Sequence, residues 1–154
     1  MKNIELSKVY NPNQVESKWY TTWNEQGLFK PLNHDQDTFA IMIPPPNVTG
    51  ILHIGHVLNN TIQDILIRKS RMIGKSTLWL PGMDHASIAT EAKVTKMLLD
   101  KNQQKEKIGR DKFLEHSWAW KEKYGGKILT QLKRLGASCD WTQTTFTMDP
   151  DYSK

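Results

Sequence analysis

The sequence predicts an α/β fold in which a short parallel sheet is flanked by helices. Two short apolar runs, residues 38–43 and Ser76–Leu80, have the length and turn-rich flanks of buried strands. A helical pattern follows each run, at about residues 52–73 and 86–101. The order strand, helix, strand, helix is typical of a parallel sheet with a right-handed crossover.

A first helix is predicted ahead of this unit. Asn11 suits the N-cap position and Pro12 suits the first turn. Val15, Trp19 and Trp23 then recur every four residues and mark one apolar face. We therefore expect a helix that packs this face on the core.

The long helical pattern at residues 52–73 carries an apolar stripe that we expect to be buried. The stripe consists of Ile54, Leu58, Ile62, Ile65 or Leu66, and Ile73. Three consecutive prolines precede the helix and end the first strand, because proline has no N–H to donate to a sheet. Pro81 and Gly82 predict a turn after the second strand.

The last third of the chain adds one long helix and one weak strand. Residues 102–109 are predicted to form a charged loop, and residues 111–135 a helix bent at Gly125 and Gly126. Residues 144–148 alternate weakly and predict a third short strand. Two or three strands make a thin sheet, so we expect about half of this domain's core to come from polypeptide outside these residues.

The composition indicates a folded domain. Hydrophobic residues make up 38% of the chain and charged residues 24%, which excludes a disordered class. No apolar run approaches the length of a membrane span, and residues 1–5 lack an apolar signal region, so a cytoplasmic protein without membrane contact is expected. Cys139 is the only cysteine, which excludes an internal disulfide and a cysteine-cluster zinc site; we expect no metal site.

The positive charge is concentrated in the second half of the chain. The net charge is +5, and residues 93–134 contain 12 Lys and Arg against 5 Asp and Glu, a net of +7. The remaining residues therefore sum to −2. This basic stretch indicates either a surface for RNA phosphates or a solvated helix face.

The most informative stretch is residues 46–56, between the first strand and the long helix. It reads Pro-Asn-Val-Thr-Gly-Ile-Leu-His-Ile-Gly-His. A helix N-terminus presents unpaired N–H groups and a positive dipole end, which suit phosphates. His53 and His56 are three residues apart and face the same side, and Gly55 lets a ligand approach the backbone. Two ordinary histidines that cap a helix are the alternative interpretation.

This stretch resembles the His-Ile-Gly-His motif of the class I aminoacyl-tRNA synthetases. Residues 44–50, 80–90 and 131–138, the last followed by Asp140 and Trp141, are similar to the valine family within that class. The resemblance runs from about Tyr10 to the end, and three blocks in the right order make it specific. It implies that residues 1–154 are the N-terminal half of a Rossmann-like catalytic nucleotide-binding domain, without the editing, signature-loop and anticodon-binding parts.

The resemblance implies an enzyme that uses ATP with Mg²⁺ to activate valine as valyl-adenylate and then transfers valine to its tRNA. The carboxylate of valine attacks the α-phosphate, so positioning and charge stabilisation replace a protein nucleophile. A fragment of this kind is expected to be inactive alone and to self-associate through its unfinished sheet. Two alternatives stay open: a related class I synthetase of the isoleucine type, and a non-catalytic module that binds RNA or a partner.

The resemblance also implies the site residues. The catalytic residues are His53 and His56, which bind the phosphates and stabilise the transition state. The ATP and adenylate contacts are Pro46, Asn47, Thr49, Gly50, His53, Gly55 and His56. The amino-acid contacts are Pro44, Pro45, Asn47 and Asp84. Asp84 pairs with the α-ammonium group of valine, with helix N-capping as its alternative role. We expect the histidines and Asp84 to converge on one small cavity.

Overall fold

The computed structural model describes residues 8–32 and 37–152, so the N-terminal residues in which no signal was expected lie outside it. The helices are α1 (Pro12–Glu25), α2 (Ile54–Met72), α3 (Ser87–Leu99), α4 (Lys105–Ile108) and α5 (Arg110–Leu135). The strands are β1 (Thr38–Met42), β2 (Ser76–Leu80), β3 (Gly82–Met83) and β4 (Thr145–Phe146). Within the described ranges, no helix is both long enough and apolar enough to span a membrane.

The predicted parallel pairing of the first two strands is confirmed. β1 and β2 run parallel in the register Thr38 to Ser76 through Met42 to Leu80, with α2 as the connection. A second parallel pair joins β3 to the predicted third strand, β4. β3 itself was missed, because Pro81 and Gly82 predict a turn and the strand has only two residues. The short helix α4 likewise lies in a predicted loop.

The core lies between the β1–β2 sheet and the two long helices, α2 and α5. Its fully buried members include Trp79 from β2, Ile67 from α2, and Ile128 and Leu132 from α5. Helix α5 continues without a break through Gly125 and Gly126, where a bend was predicted. Gly125 has a packing role instead: a Cβ there would lie 3.1 Å from the sulfur of Met83.

The prediction that the apolar stripe of α2 is buried is wrong. The six predicted residues are between 45% and 80% exposed, and they are Ile54, Leu58, Ile62, Ile65, Leu66 and Ile73. The inward face of α2 is largely polar, because it holds the segment that follows α5. Asp64 Oδ1 accepts from the backbone N–H of Ser138 at 3.1 Å, and Arg71 donates to the Ser138 carbonyl at 2.8 Å.

Two further burial predictions are corrected. β1 alternates between exposed and half-buried residues, because within the described residues it pairs with β2 alone. Helix α1 has no fully buried residue, and Trp19 is exposed. It docks through a hydrogen bond from the Tyr20 hydroxyl to the Ala137 carbonyl at 2.7 Å. Burial strongly raises the pKa of Tyr20, which keeps this hydroxyl protonated as a donor.

Candidate nucleotide site

An open hollow of about 400 Å³ lies where β1 ends and α2 begins. It occupies the carboxyl end of the β1–β2 sheet, which is where α/β folds bind ligands. Its lining residues come from the triple-proline turn and the first two turns of α2: Pro44, Pro45, Pro46, Asn47, Thr49, His53, Gly55, His56, Asn59 and Asn60. The structure therefore brings together nearly all of the predicted ATP contacts. Gly50 is not among the lining residues.

The two histidines of the motif cap α2 by bonding to its backbone. His53 is the N-cap residue, and its Nδ1 accepts from the Gly55 backbone N–H at 3.1 Å. The His53 backbone N–H donates to Nδ1 of His56 at 3.2 Å. The ring centroids are 4.0 Å apart. The expectation of unpaired N–H groups at this helix start is therefore corrected, because the imidazoles already accept from the backbone N–H groups of His53 and Gly55.

These bonds fix which ring nitrogen of each histidine carries a proton. Each Nδ1 accepts a hydrogen bond, so in the neutral ring the proton sits on Nε2. Burial and the neighbouring His53 both lower the pKa of His56. At neutral pH His56 is thus an uncharged donor through Nε2–H. Two imidazole Nε2–H donors at one helix start suit the oxygens of a phosphate chain.

Gly55 is required by the packing of His53. A Cβ at Gly55 would lie 3.0 Å from Cε1 and 3.1 Å from Nδ1 of the His53 ring. Real side chains rarely come that close, so the ring would have to move by a few tenths of an ångström. The sequence had indicated only that this glycine leaves room for a ligand.

The loop before α2 is anchored to β3 and α5. Asn47 and Asp84 form a parallel bridge: the Val48 N–H donates to the Asp84 carbonyl at 3.0 Å, and the Asp84 N–H to the Pro46 carbonyl at 2.9 Å. From α5, Trp120 Nε1 donates to the Val48 carbonyl at 2.7 Å. Another α5 residue, Gln131, accepts from the N–H of Leu52 at 3.0 Å. No periodic pattern identified these two anchors, which depend on tertiary contacts.

The carboxylate of Asp84 does not line the hollow of the histidines. Its Oδ1 accepts from the Thr147 hydroxyl at 3.1 Å and from the Ala86 N–H at 3.2 Å, and it lies 3.4 Å from Nδ1 of His85. The N-cap of α3 is Ala86, so Asp84 is not the cap either. The expected single cavity is therefore corrected: the backbone of Asp84 borders the histidine loop, while its side chain, 36% exposed, bonds on the β4 side.

A second, smaller hollow of about 200 Å³ lies on that side, between α3, α5 and β4. His85, Trp118 and Phe146 are among its lining residues. Sequence analysis did not identify it, because its walls come from three segments that are distant along the chain. Within residues 8–32 and 37–152, no group of three His, Cys, Asp or Glu residues could hold a metal ion.

The fold and the histidine-capped hollow agree with the family to which the sequence is similar. Residues 18–154 match the family model described as tRNA synthetases class I (I, L, M and V). The chain belongs to this family. Within it, the predicted resemblance to the valine enzymes is confirmed. The chain is 56% identical over 151 residues to the valine–tRNA ligase of Parabacteroides distasonis and 57% identical over 150 residues to that of Fusobacterium nucleatum.

These matches cover 98% and 97% of the chain but 17% of each relative, so the chain spans about a sixth of their length. The solved ternary complex of Agrobacterium radiobacter K84 LeuRS with tRNA and LeuAMS is similar in fold, with a TM-score of 0.76 and 21% identity. That match covers 94% of this chain and 17% of the LeuRS chain. It confirms the predicted class I α/β architecture with its short parallel sheet.

Proposed function

We propose that the chain forms part of a valine–tRNA ligase, which activates valine with ATP and transfers it to tRNA. The observation that carries this proposal is the histidine-capped hollow at the start of α2, in a chain whose relatives include valine–tRNA ligases. Residues 1–154 are proposed to be the N-terminal half of the catalytic nucleotide-binding domain, because they carry the hollow beside a two-stranded sheet and span 17% of the relative's length. A ligase of this kind works in the cytoplasm, where its tRNA is used.

His53 and His56 are the proposed catalytic residues. Their Nε2–H groups donate to ATP phosphate oxygens as the carboxylate of valine attacks the α-phosphate and pyrophosphate leaves. The bonds through Nδ1 hold both rings before ATP arrives, so no reorganisation is needed in the transition state. Mg²⁺ enters with ATP as part of the substrate and offsets the charge of the leaving group.

The residues around the histidines shape the pocket. Pro46, Thr49, Gly50 and Gly55 are the proposed contacts of the adenylate. Proline turns and glycine expose backbone to a ligand, which supports this assignment.

The proposed valine contacts are Pro44, Pro45, Asn47 and Asp84. The backbone bridge holds Asp84 next to Asn47, and a carboxylate that is 36% exposed can reach an α-ammonium group. The Asp84 carboxylate would approach valine from the side of the loop on which it bonds to Thr147.

tRNA and a second copy of the chain are the proposed macromolecular partners. The basic residues of α5 support RNA contact, although several of them also cover aromatic rings; Lys133, for example, lies 5.1 Å from the Trp141 ring centroid. The exposed apolar stripe of α2 supports self-association of the 154-residue chain by itself. The same chain is proposed to be inactive, because five sixths of each relative's length lies outside the matched region.

Amino-acid-dependent ATP–pyrophosphate exchange by the complete gene product tests the function. Valine should support exchange, while isoleucine should support much less because it carries an extra methylene. Threonine, which has a similar shape to valine, is the stringent comparison. Exchange that prefers isoleucine would replace the proposal with a related synthetase. If no amino acid supports exchange and the protein binds RNA, a non-catalytic module would be favoured.

A further inference from the structure

Two side chains of α5 hold the two ends of the loop before α2. At the start of the loop, Trp120 Nε1 donates to the Val48 carbonyl at 2.7 Å. At its end, Gln131 Oε1 accepts from the Leu52 N–H at 3.0 Å, one residue before the N-cap His53. Trp120 and Gln131 are about three helical turns apart, so they lie on the same face of α5. This face of α5 therefore contacts the loop at both ends.

The end of the loop next to the histidines depends on Gln131 more than the other end depends on Trp120. Val48 is buried, and its N–H also donates to the Asp84 carbonyl at 3.0 Å. Leu52 is only half-buried and lies outside every helix and strand of the described ranges. The position of the Leu52 backbone is thus set mainly by the amide of Gln131.

The bond to Gln131 is close to the His56 ring along the chain. The next backbone N–H after Leu52 is that of His53, which donates to Nδ1 of His56 at 3.2 Å. Rotation of the backbone at Leu52 would turn this N–H away from Nδ1. Because the bond at Nδ1 holds the ring, the direction of the opposite Nε2–H would change with it.

We infer that Gln131 is a positioning residue, which directs Nε2–H of His56 through the backbone of Leu52 and His53. Gln131 is not among the residues that line the nucleotide hollow, so it acts without contacting the nucleotide. Its consequence for the rate rests on the proposed function. Ring orientation matters most as charge develops in the transition state, so loss of this anchor lowers kcat more than it raises KM.

Hydrogen–deuterium exchange of the loop in the complete gene product tests the anchor without requiring catalysis. Gln131→Met has a similar length but no amide oxygen, and its Leu52 amide should exchange roughly tenfold faster, the value of one hydrogen bond. Gln131→Glu keeps an acceptor oxygen, with Lys127 one turn away, and should exchange as the unmodified protein does. Ser76→Ala is the matched control: it removes a 2.9 Å bond from a side chain to the Leu32 carbonyl at the opposite end of β2, and should also leave the loop unchanged.

Valine-dependent ATP–pyrophosphate exchange by the same proteins tests the consequence. Gln131→Met should lower kcat by about tenfold, because a slightly misplaced group loses much of its effect, while the KM for valine stays the same. Gln131→Glu should recover most of the rate. In a His56→Ala background, Gln131→Met should have little further effect, whereas a purely structural role would cause the same loss in both backgrounds.

Three outcomes would overturn the inference. The first is unchanged hydrogen–deuterium exchange of the loop in Gln131→Met, and Gln131→Ala provides the same test if that variant does not fold. The second is an equal loss of kcat with and without His56. The third is a loss in Gln131→Glu as large as that in Gln131→Met. If the unmodified protein shows no valine-dependent exchange, the proposed function is refuted, and the hydrogen–deuterium exchange still decides the role of Gln131.

Discussion

Substituting Gly55 by alanine tests whether the position of the His53 ring controls the nucleotide site. The new Cβ would lie 3.0 Å from Cε1 of that ring, and the backbone of Gly55 is not in the left-handed region. Alanine therefore fits the main chain, and the imidazole must move. Because His53 is exposed, the ring can rotate toward solvent. The substitution thus displaces a proposed catalytic side chain, and a His53→Ala background separates this effect from the contact that Gly55 itself is proposed to make with the adenylate.

The expected effect on stability is small, while the effect on rate is large. Alanine gains up to about 1 kcal/mol over glycine in a helix. Loss of the hydrogen bond from the Gly55 N–H to His53 costs about 1 kcal/mol, as for other helix caps. These terms cancel to within about 1 kcal/mol. Removing one preorganised donor to a developing oxyanion lowers the rate by roughly 100-fold or more.

The assay is valine-dependent ATP–pyrophosphate exchange by the complete gene product, with urea unfolding measured on the same samples. Gly126→Ala is the matched control, because it lies within α5 with nothing near its Cβ and should stabilise the fold by about 0.5–1 kcal/mol. In a His53→Ala background, Gly55→Ala should have almost no further effect on rate. Exchange that stays at the wild-type rate in Gly55→Ala would refute the steric reasoning.

The remaining predictions concern His56 and Asp84. His56→Ala should lower the kcat of exchange by roughly 100-fold with little change in valine affinity, and a change in valine affinity alone would contradict this. Asp84→Ala should raise the KM for valine by about tenfold or more, whereas Asp84→Asn should recover part of the loss through its amide oxygen; unchanged valine affinity would remove the ammonium assignment. The lowered pKa of His56 means that the unfolded chain binds more protons, so the free energy of unfolding should fall as the pH drops below about 6.5. His56→Gln should reduce that fall in urea titrations between about pH 7.5 and about pH 5, and an unchanged slope would count against the pKa shift.

The order of elements could be predicted from sequence because each signal is local. The apolar run at Ser76–Leu80 and the prolines after β1 set the strand boundaries, and Gly136 ends α5 with a positive φ. Helix α2 begins within two residues of the predicted start. The gathering of the motif residues around one hollow also followed from sequence, because the triple-proline turn leads directly into α2.

The features that could not be predicted from sequence depend on contacts between distant segments. Periodicity identifies an apolar face of α2 but does not say what covers it, and here the polar face turns inward to hold Ser138. The two-residue strand β3 has no periodic signal and exists because its partner β4 lies 63 residues further along the chain. The side chain of Asp84 turns to Thr147 for the same reason, since Thr147 directly follows β4. A single sequence cannot indicate this pairing.

The outward apolar face of α2 has a consequence for how the protein is produced. Until another surface covers this stripe, two molecules that meet can bury it against each other, and that encounter becomes more frequent as concentration rises. The yield of the isolated 154-residue chain then depends on whether the stripe is covered before the molecules aggregate. Protein concentration and temperature affect this competition more than the free energy of unfolding does. Replacing Leu58 and Ile62 with lysine would slow aggregation without altering the polar face of α2 that holds the segment after α5.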